Sequence, residues 1–198
     1  MQRADTGARS REVILREAVR LFSRKGYTGT SMRDIAEAVG LLPGSLYAHI
    51  DEKEGLLVEI VNRGIDAFLD AGDVVVSTPA PPDLRMRALI RAHVGIIAEN
   101  LEQTSVVFHQ WKHLSAERRT VVVDKRDRYE SMFTRVVDDG IAAGVFNAGM
   151  NARIAVLSIL GILNWVPEWL SPNGPEPVDE VADRLTDIVL VGLYGRRP

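Results

Sequence analysis

His109 and His113 lie four residues apart, a spacing that sets two imidazoles on one helix face and can hold zinc. Gln110 follows His109, however, and an amide cannot accept the proton that the glutamate of a His-Glu-x-x-His site accepts. No cysteine is present, and no further histidine is close in sequence to complete a ligand set. A phosphate-cradling glycine loop, a G-x-G-x-x-G turn and a G-x-S-x-G elbow are all missing from the sequence. The expectation is therefore no metal, no cofactor and no catalysis. A second constellation suits a different chemistry. Thr30, Ser31 and Arg33 stand together, and Gly44, Ser45, Tyr47 and His49 follow within a short span. These are donors for phosphate oxygens and base edges, with a glycine where a backbone could approach a duplex closely.

Such donors need elements to present them. Ser31 can cap a helix, and Asp34 three residues on completes an S-x-x-D capping box. Ile35, Ala36 and Val39 recur at helical spacing and are expected to face inward. Gly40 suits a helix stop, and Pro43 the first turn of a second helix. Leu46 and Ile50 would dock that second helix onto the first, leaving Ser45, Tyr47, Ala48 and His49 on its other faces. Upstream, Ile14, Ala18, Leu21 and Phe22 mark a helix from about Ser10 to Gly26 that closes a three-helix unit. Two helices joined by a short glycine-bearing turn, the second one polar, describe a helix-turn-helix able to enter a major groove.

The stretch REAVRLFSRKGYTGTSMRDIAEAVGLLPGSLYAHIDEKEGLL, beginning at Arg16, resembles the N-terminal domain of the tetracycline-repressor (TetR) family of bacterial transcriptional regulators. The motifs A-x-x-L-F-x-x-x-G-Y, T-S-M-R-D-I-A, G-S-L-Y-x-H and D-E-K-E-x-L stand in register. The resemblance covers roughly a quarter of the chain, and it implies a double-stranded DNA operator as partner. It also implies a phosphate contact for Lys53. Leu42, Ala48 and Ile50 depart from the family pattern at a cap, a contact and a packing position, respectively.

The 198 residues carry a net charge of −3, and 46% of them are hydrophobic, enough for a core. Residues 1–50 hold eight Lys/Arg against five Asp/Glu, whereas the remainder holds 16 against 22, so the basic excess sits on the proposed reading segment. The polar start is no secretory signal, and the apolar run 154–163 is too short for a bilayer, so a cytoplasmic protein without a membrane partner is expected. Residues 1–9 read as an arm whose Arg3 and Arg9, with Arg11 just beyond, could reach DNA. Helices are expected over residues 54–71, 84–100, 103–114, 115–143, 152–165 and 178–194, with a proline-rich loop over 72–83. No strand is expected. The fold is read as all-α with about nine helices: a DNA-binding domain over 1–53 and an effector-binding and dimerisation domain over 54–198.

Residues 152–165 are apolar almost all round, which requires burial on two sides. The family resemblance implies that the last two helices pair with those of a second copy, giving a homodimer through Ile154, Leu157, Val181, Leu185, Ile188 and Gly192. Phe108, Trp111, Arg126, Tyr129, Met132, Phe133, Asn164, Trp165 and Trp169 gather aromatic and polar groups on helices of the second domain, a candidate site for a hydrophobic small-molecule effector. GILNWVPEWLSPNGP is similar to the N-W-x-x-x-W-x-x-P-x-G segment of regulators of lipid and steroid catabolism, which implies an acyl-CoA thioester. Arg118, Arg119, Lys125, Arg126 and Arg128 are candidate cations for its phosphates. The resulting reading is a repressor released from a palindromic operator. The alternatives are a multidrug-sensing repressor of an efflux gene, a ligand-binding protein of this fold without DNA binding, and an activator or nucleoid-type protein.

Overall fold

The computed structural model describes residues 11–171 and 173–195, together with the backbone alone of residues 2–10. Helix α1, Gln2–Lys25, is already helical where an arm was expected, and it buries Ile14, Leu15, Ala18, Leu21 and Phe22 along one stripe. Gly26 ends it with φ +76°, a left-handed backbone that side chains resist. Then follow α2, Met32–Ala38, α3, Pro43–Leu46, and α4, Lys53–Ser77. Helix α4 runs six residues past the expected stop at residue 71, straight through Gly72. A Cβ on Gly72 would lie 2.4 Å from the Met132 sulfur, so this glycine serves close packing and breaks nothing.

The remaining helices are α5, Pro82–Glu99, α6, Leu101–His109, α7, Ala116–Ala142, α8, Ala152–Asn164, and α9, Val178–Tyr194, with 3-10 turns at Trp111–His113 and Val166–Glu168. Among the described residues there are nine α-helices and no strand, the all-α architecture expected from periodicity. The expected helix over 103–114 is divided in two, because α6 stops at His109 and a tighter turn takes over.

The chain forms two compact units. One comprises Met1–Ile65 and Glu102–Val122, the other Asp66–Leu101 and Val123–Pro198. Packing thus divides the chain differently from the boundary drawn at residue 53. In the first unit Phe22, Ile35, Leu46, Leu56, Leu57, Val106, Val107 and Leu114 are buried. A Cβ on Gly64 would fall 2.3 Å from Val107 Cγ2, so α4 and α6 touch at bare backbone. In the second unit Leu89, Ile90, Val94, Phe133, Val136, Val137 and Leu163 are buried. There Arg91 holds Asp183 through two hydrogen bonds of 2.9 and 2.6 Å, tying α5 to α9.

Candidate nucleic-acid interface

The short α2–α3 pair is built from local hydrogen bonds. The Ser31 hydroxyl accepts from the Asp34 N–H at 3.1 Å, and the Ser31 N–H donates to the Asp34 carboxylate at 2.8 Å, completing the capping box. The Ser31 hydroxyl and N–H, with Lys25 beyond them, hold the Asp34 carboxyl down to about 2. Helix α3 begins on Pro43 and is only one turn long. Its cap, Leu42, makes no side-chain hydrogen bond and is 76% exposed. Beyond Leu46 the chain continues as turns, with the Ile50 N–H donating to the Leu46 carbonyl at 3.0 Å. Leu46 and Ile50 are buried and anchor this segment, as expected from their spacing.

The other side of the segment faces solvent. Gly44, Ser45, Tyr47 and Ala48 are exposed, Tyr47 by 54%. Arg33 is exposed on α2 and forms no ion pair among the described residues. His49 is half-buried, and its carbonyl accepts from the Arg11 guanidinium at 2.9 Å. Arg11 also pairs with Glu59 at 2.5 Å, so its expected reach toward DNA is spent within the unit. The side chains of Arg3 and Arg9 lie outside the described residues.

Two expected contacts are placed elsewhere. Thr30 is 2% exposed; its hydroxyl lies 2.9 Å from the Gly26 carbonyl oxygen and 3.3 Å from that of Leu21. It closes the end of α1, where carbonyls lack helical partners. Lys53 is half-buried and donates to the Tyr27 and Thr30 carbonyls at 2.8 and 2.7 Å, with its ammonium 4.2 Å from the Tyr27 ring centroid. Its charge is taken up by the loop that precedes α2.

The candidate effector residues are shared between the two units. Phe108 and Trp111 belong to the first unit. In the second, Met132 and Phe133 are buried, whereas Trp165 and Trp169 are 59% and 49% exposed, and Asn164 is half-buried at the end of α8. Tyr129 joins a buried cluster that sequence reasoning missed. Its hydroxyl lies 3.0 Å from His93 Nδ1, and the Phe68 ring centroid is 4.7 Å from that of His93. Burial pushes the His93 imidazole down to about 3, a hydrogen bond to the Leu163 backbone pulling the other way, and burial also raises the Tyr129 phenol. A lone histidine on the apolar face of α5 was the available signal. Arg126 is half-buried beside this cluster in sequence, and burial lowers its pKa. Of the other candidate cations in this unit, Lys125 is bound to Asp66 at 2.6 Å and Arg128 pairs with Asp73.

Helices α8 and α9 expose an apolar face. On α8, Ile154, Leu157 and Ile162 are 56%, 42% and 39% exposed, and Trp165 just past its end is 59% exposed, while Val156, Ile159 and Leu163 turn inward. On α9, Ile188 and Val191 are 62% and 71% exposed, Gly192 is exposed and Leu185 half-buried. Val181 does not belong to this face. It is 6% exposed, packed within its own chain together with Ala182, whereas Val191 and Tyr194, which were not expected there, are exposed. A groove lined by Ile154, Ser158, Ile162, Ile188 and Gly192 runs between the two helices.

A helix-turn-helix on an all-α scaffold with an apolar outer helix pair defines a class of DNA-binding regulator. Residues 14–60 match the family described as bacterial regulatory proteins, tetR family, and residues 79–193 match the tetracyclin repressor-like C-terminal domain. The chain belongs to the TetR family of DNA-binding transcriptional regulators. It is 31% identical over 193 residues to the HTH-type transcriptional repressor KstR2 of Rhodococcus jostii, covering 96% of this chain and 94% of that one. The structure of the ketosteroid transcriptional regulator KstR2 of Mycobacterium tuberculosis superposes with a TM-score of 0.88 at 26% identity, over 94% of this chain and 95% of that one. AibR in complex with isovaleryl coenzyme A and operator DNA superposes with a TM-score of 0.80 at 26% identity, over 93% and 98%. No helix among the described residues is long and apolar enough to cross a membrane.

Proposed function

We propose that this protein is a homodimeric transcriptional repressor that binds a palindromic operator in the cytoplasm and leaves it when an acyl-CoA thioester binds. It acts by binding alone and is not an enzyme. The observation that carries the reading is the exposed surface of α2 and α3, where Arg33, Ser45 and Tyr47 remain free of structural duties while Leu46 and Ile50 anchor the segment from behind. Gly44 and the backbone around it supply the close approach to phosphate. Ser31 and His49 flank this surface, the first from its cap and the second half-buried. The apolar face of α8 and α9 is the dimer seam, and two-fold pairing presents two reading segments to half-sites about one helical turn apart.

The effector class rests on the KstR2 likeness, on the AibR relative crystallised with isovaleryl coenzyme A, and on the N-W-x-x-x-W segment over Asn164, Trp165 and Trp169. The acyl part goes to the apolar centre around Tyr129, Met132 and Phe133, with Arg126 as a cation for the polar end. The effector shifts the equilibrium only by binding the DNA-free conformation more tightly. Selection of duplexes from a random pool, followed by titration with isovaleryl-CoA, longer acyl-CoAs, free CoA and free fatty acids, tests both halves. Enrichment of a palindrome and its release by acyl-CoA alone is expected. Failure to enrich any sequence removes the DNA reading, and release by cationic drugs instead removes the ligand class. Tyr47→Ala is expected to abolish selective binding with little change in melting temperature.

A further inference from the structure

Residues 102–122 pack with the reading unit although residues 66–101 separate them from the rest of it in the chain. Their contacts fall on both flanks of the α2–α3 pair. On the entry side, the Tyr27 N–H donates to Gln110 Oε1 at 3.0 Å, and the Tyr27 ring stacks on His113 with centroids 5.7 Å apart and planes at 23°. On the exit side, the Ser115 N–H donates to Glu54 at 2.7 Å, and Arg118 pairs with Glu52 and, at 3.3 Å, with Glu54. The Ser115 N–H is the first cause of a lowered Glu54 pKa. Lys53 joins the two sides, because its ammonium binds the Tyr27 and Thr30 carbonyls while its backbone starts α4.

The pair is anchored from behind by Ile35, Ala36, Leu46 and Ile50, but α3 is one turn long and its cap is unmade. Its pose therefore also depends on where residues 26–30 and 51–54 are held. We propose that residues 110–118 form a clamp on both flanks of the helix-turn-helix, and that Gln110 and Arg118 are positioning residues for operator reading that touch no DNA themselves. The clamp rests on the DNA-reading function proposed above. It lies between α6 and α7. Helix α7 belongs to this unit only up to Val122 and continues from Val123 in the other.

Gln110 allows a test that separates positioning from bulk. Gln110→Leu keeps the size and removes the acceptor, leaving the Tyr27 N–H without its partner. Gln110→Glu keeps an acceptor at the same place. The full-length variants, with Arg118→Met beside them, are titrated against the duplex selected by the wild-type protein and against a random duplex of equal length at the same salt. Gln110→Leu and Arg118→Met are expected to weaken the selected duplex about tenfold and the random duplex less than about twofold, since random binding follows overall charge. Gln110→Glu should restore selective affinity. Equal losses on both duplexes, or selective affinity within twofold of wild type for Gln110→Leu and Arg118→Met, would overturn the clamp. If the wild-type protein selects no duplex, the DNA-reading function falls and the clamp falls with it. A failure of the variants alone leaves that function standing.

Discussion

Ile188→Glu isolates the dimer seam. Burying an isoleucine fully is worth about 1.5–3 kcal/mol, and Ile188 leaves 62% of itself exposed in the single chain. Covering it in a dimer therefore contributes about 1–2 kcal/mol per copy. Two-fold symmetry places the same substitution on both sides, so the loss is about 2–4 kcal/mol. The new carboxylate adds a desolvation cost of several kcal/mol, because neighbours such as Ile154, Ile162 and Val191 offer it no partner. At about 1.4 kcal/mol per factor of ten, the dimer should weaken at least about a thousandfold. Light scattering after size-exclusion chromatography at micromolar concentration should find a wild-type dimer and a mutant monomer. Circular dichroism should remain helical, because position 188 is exposed in the isolated fold. A mutant that stays dimeric at that concentration, or a wild type that is itself monomeric, refutes the assignment of this face.

Three other substitutions probe roles that the structure reassigns or adds. Thr30→Val removes the hydroxyl that serves the Leu21 and Gly26 carbonyls and should cost about 1–2 kcal/mol in thermal melts, with operator affinity well below the melting point changed only through the geometry of residues 26–30. His93 remains neutral in the fold down to about 3, whereas in the unfolded chain it protonates near about 6.5. The unfolded state thus takes up the extra proton, so stability is full above the unfolded pKa and falls as pH drops toward 3, by up to about 1.4 kcal/mol per pH unit. Urea melts of His93→Gln should show that slope flattened. Gly140→Ala sets a Cβ 2.0 Å from the buried Phe146 ring and should cost about 1–3 kcal/mol, again read from urea melts.

The parts legible in the sequence were those governed by neighbours a few residues apart. The Ser31–Asp34 box and the anchors Leu46 and Ile50 depend on three- and four-residue spacing, and they stand where that spacing puts them. Helix α9 occupies the span read from its periodicity. What failed required knowing who lies opposite. Thr30 and Ser31 are adjacent hydroxyls before one helix, and only one can take the cap. The other turns inward to α1, a choice made by carbonyls nine and four residues back. Val181 shares a helical stripe with Ile188, yet it lies where its own chain covers α9. In α8 a nearly continuous apolar run gave no way to tell Val156 and Leu163, which face inward, from Ile154 and Leu157, which do not.

The same distinction sorts the reading surface. Polar residues near a helix-turn-helix look alike in sequence, because each can donate to phosphate. The fold divides them by what they already hold. Lys53 and Thr30 are committed to loop carbonyls, and Arg11 to Glu59 and the His49 carbonyl. Removing them should lower stability first and affinity only through lost geometry. Tyr47, Ser45 and Arg33 have no such commitment among the described residues. Removing them should lower affinity with the melt unmoved. The ratio of the two effects, measured residue by residue, assigns each side chain to the frame or to the contact surface. Lys53 is the sharpest case, since the family resemblance gives it to DNA while the geometry gives it to Tyr27. If Lys53→Met loses affinity with an unchanged melt, the ammonium leaves its carbonyls to meet phosphate. If the melt falls in step, its work is to join the two flanks of the reading segment.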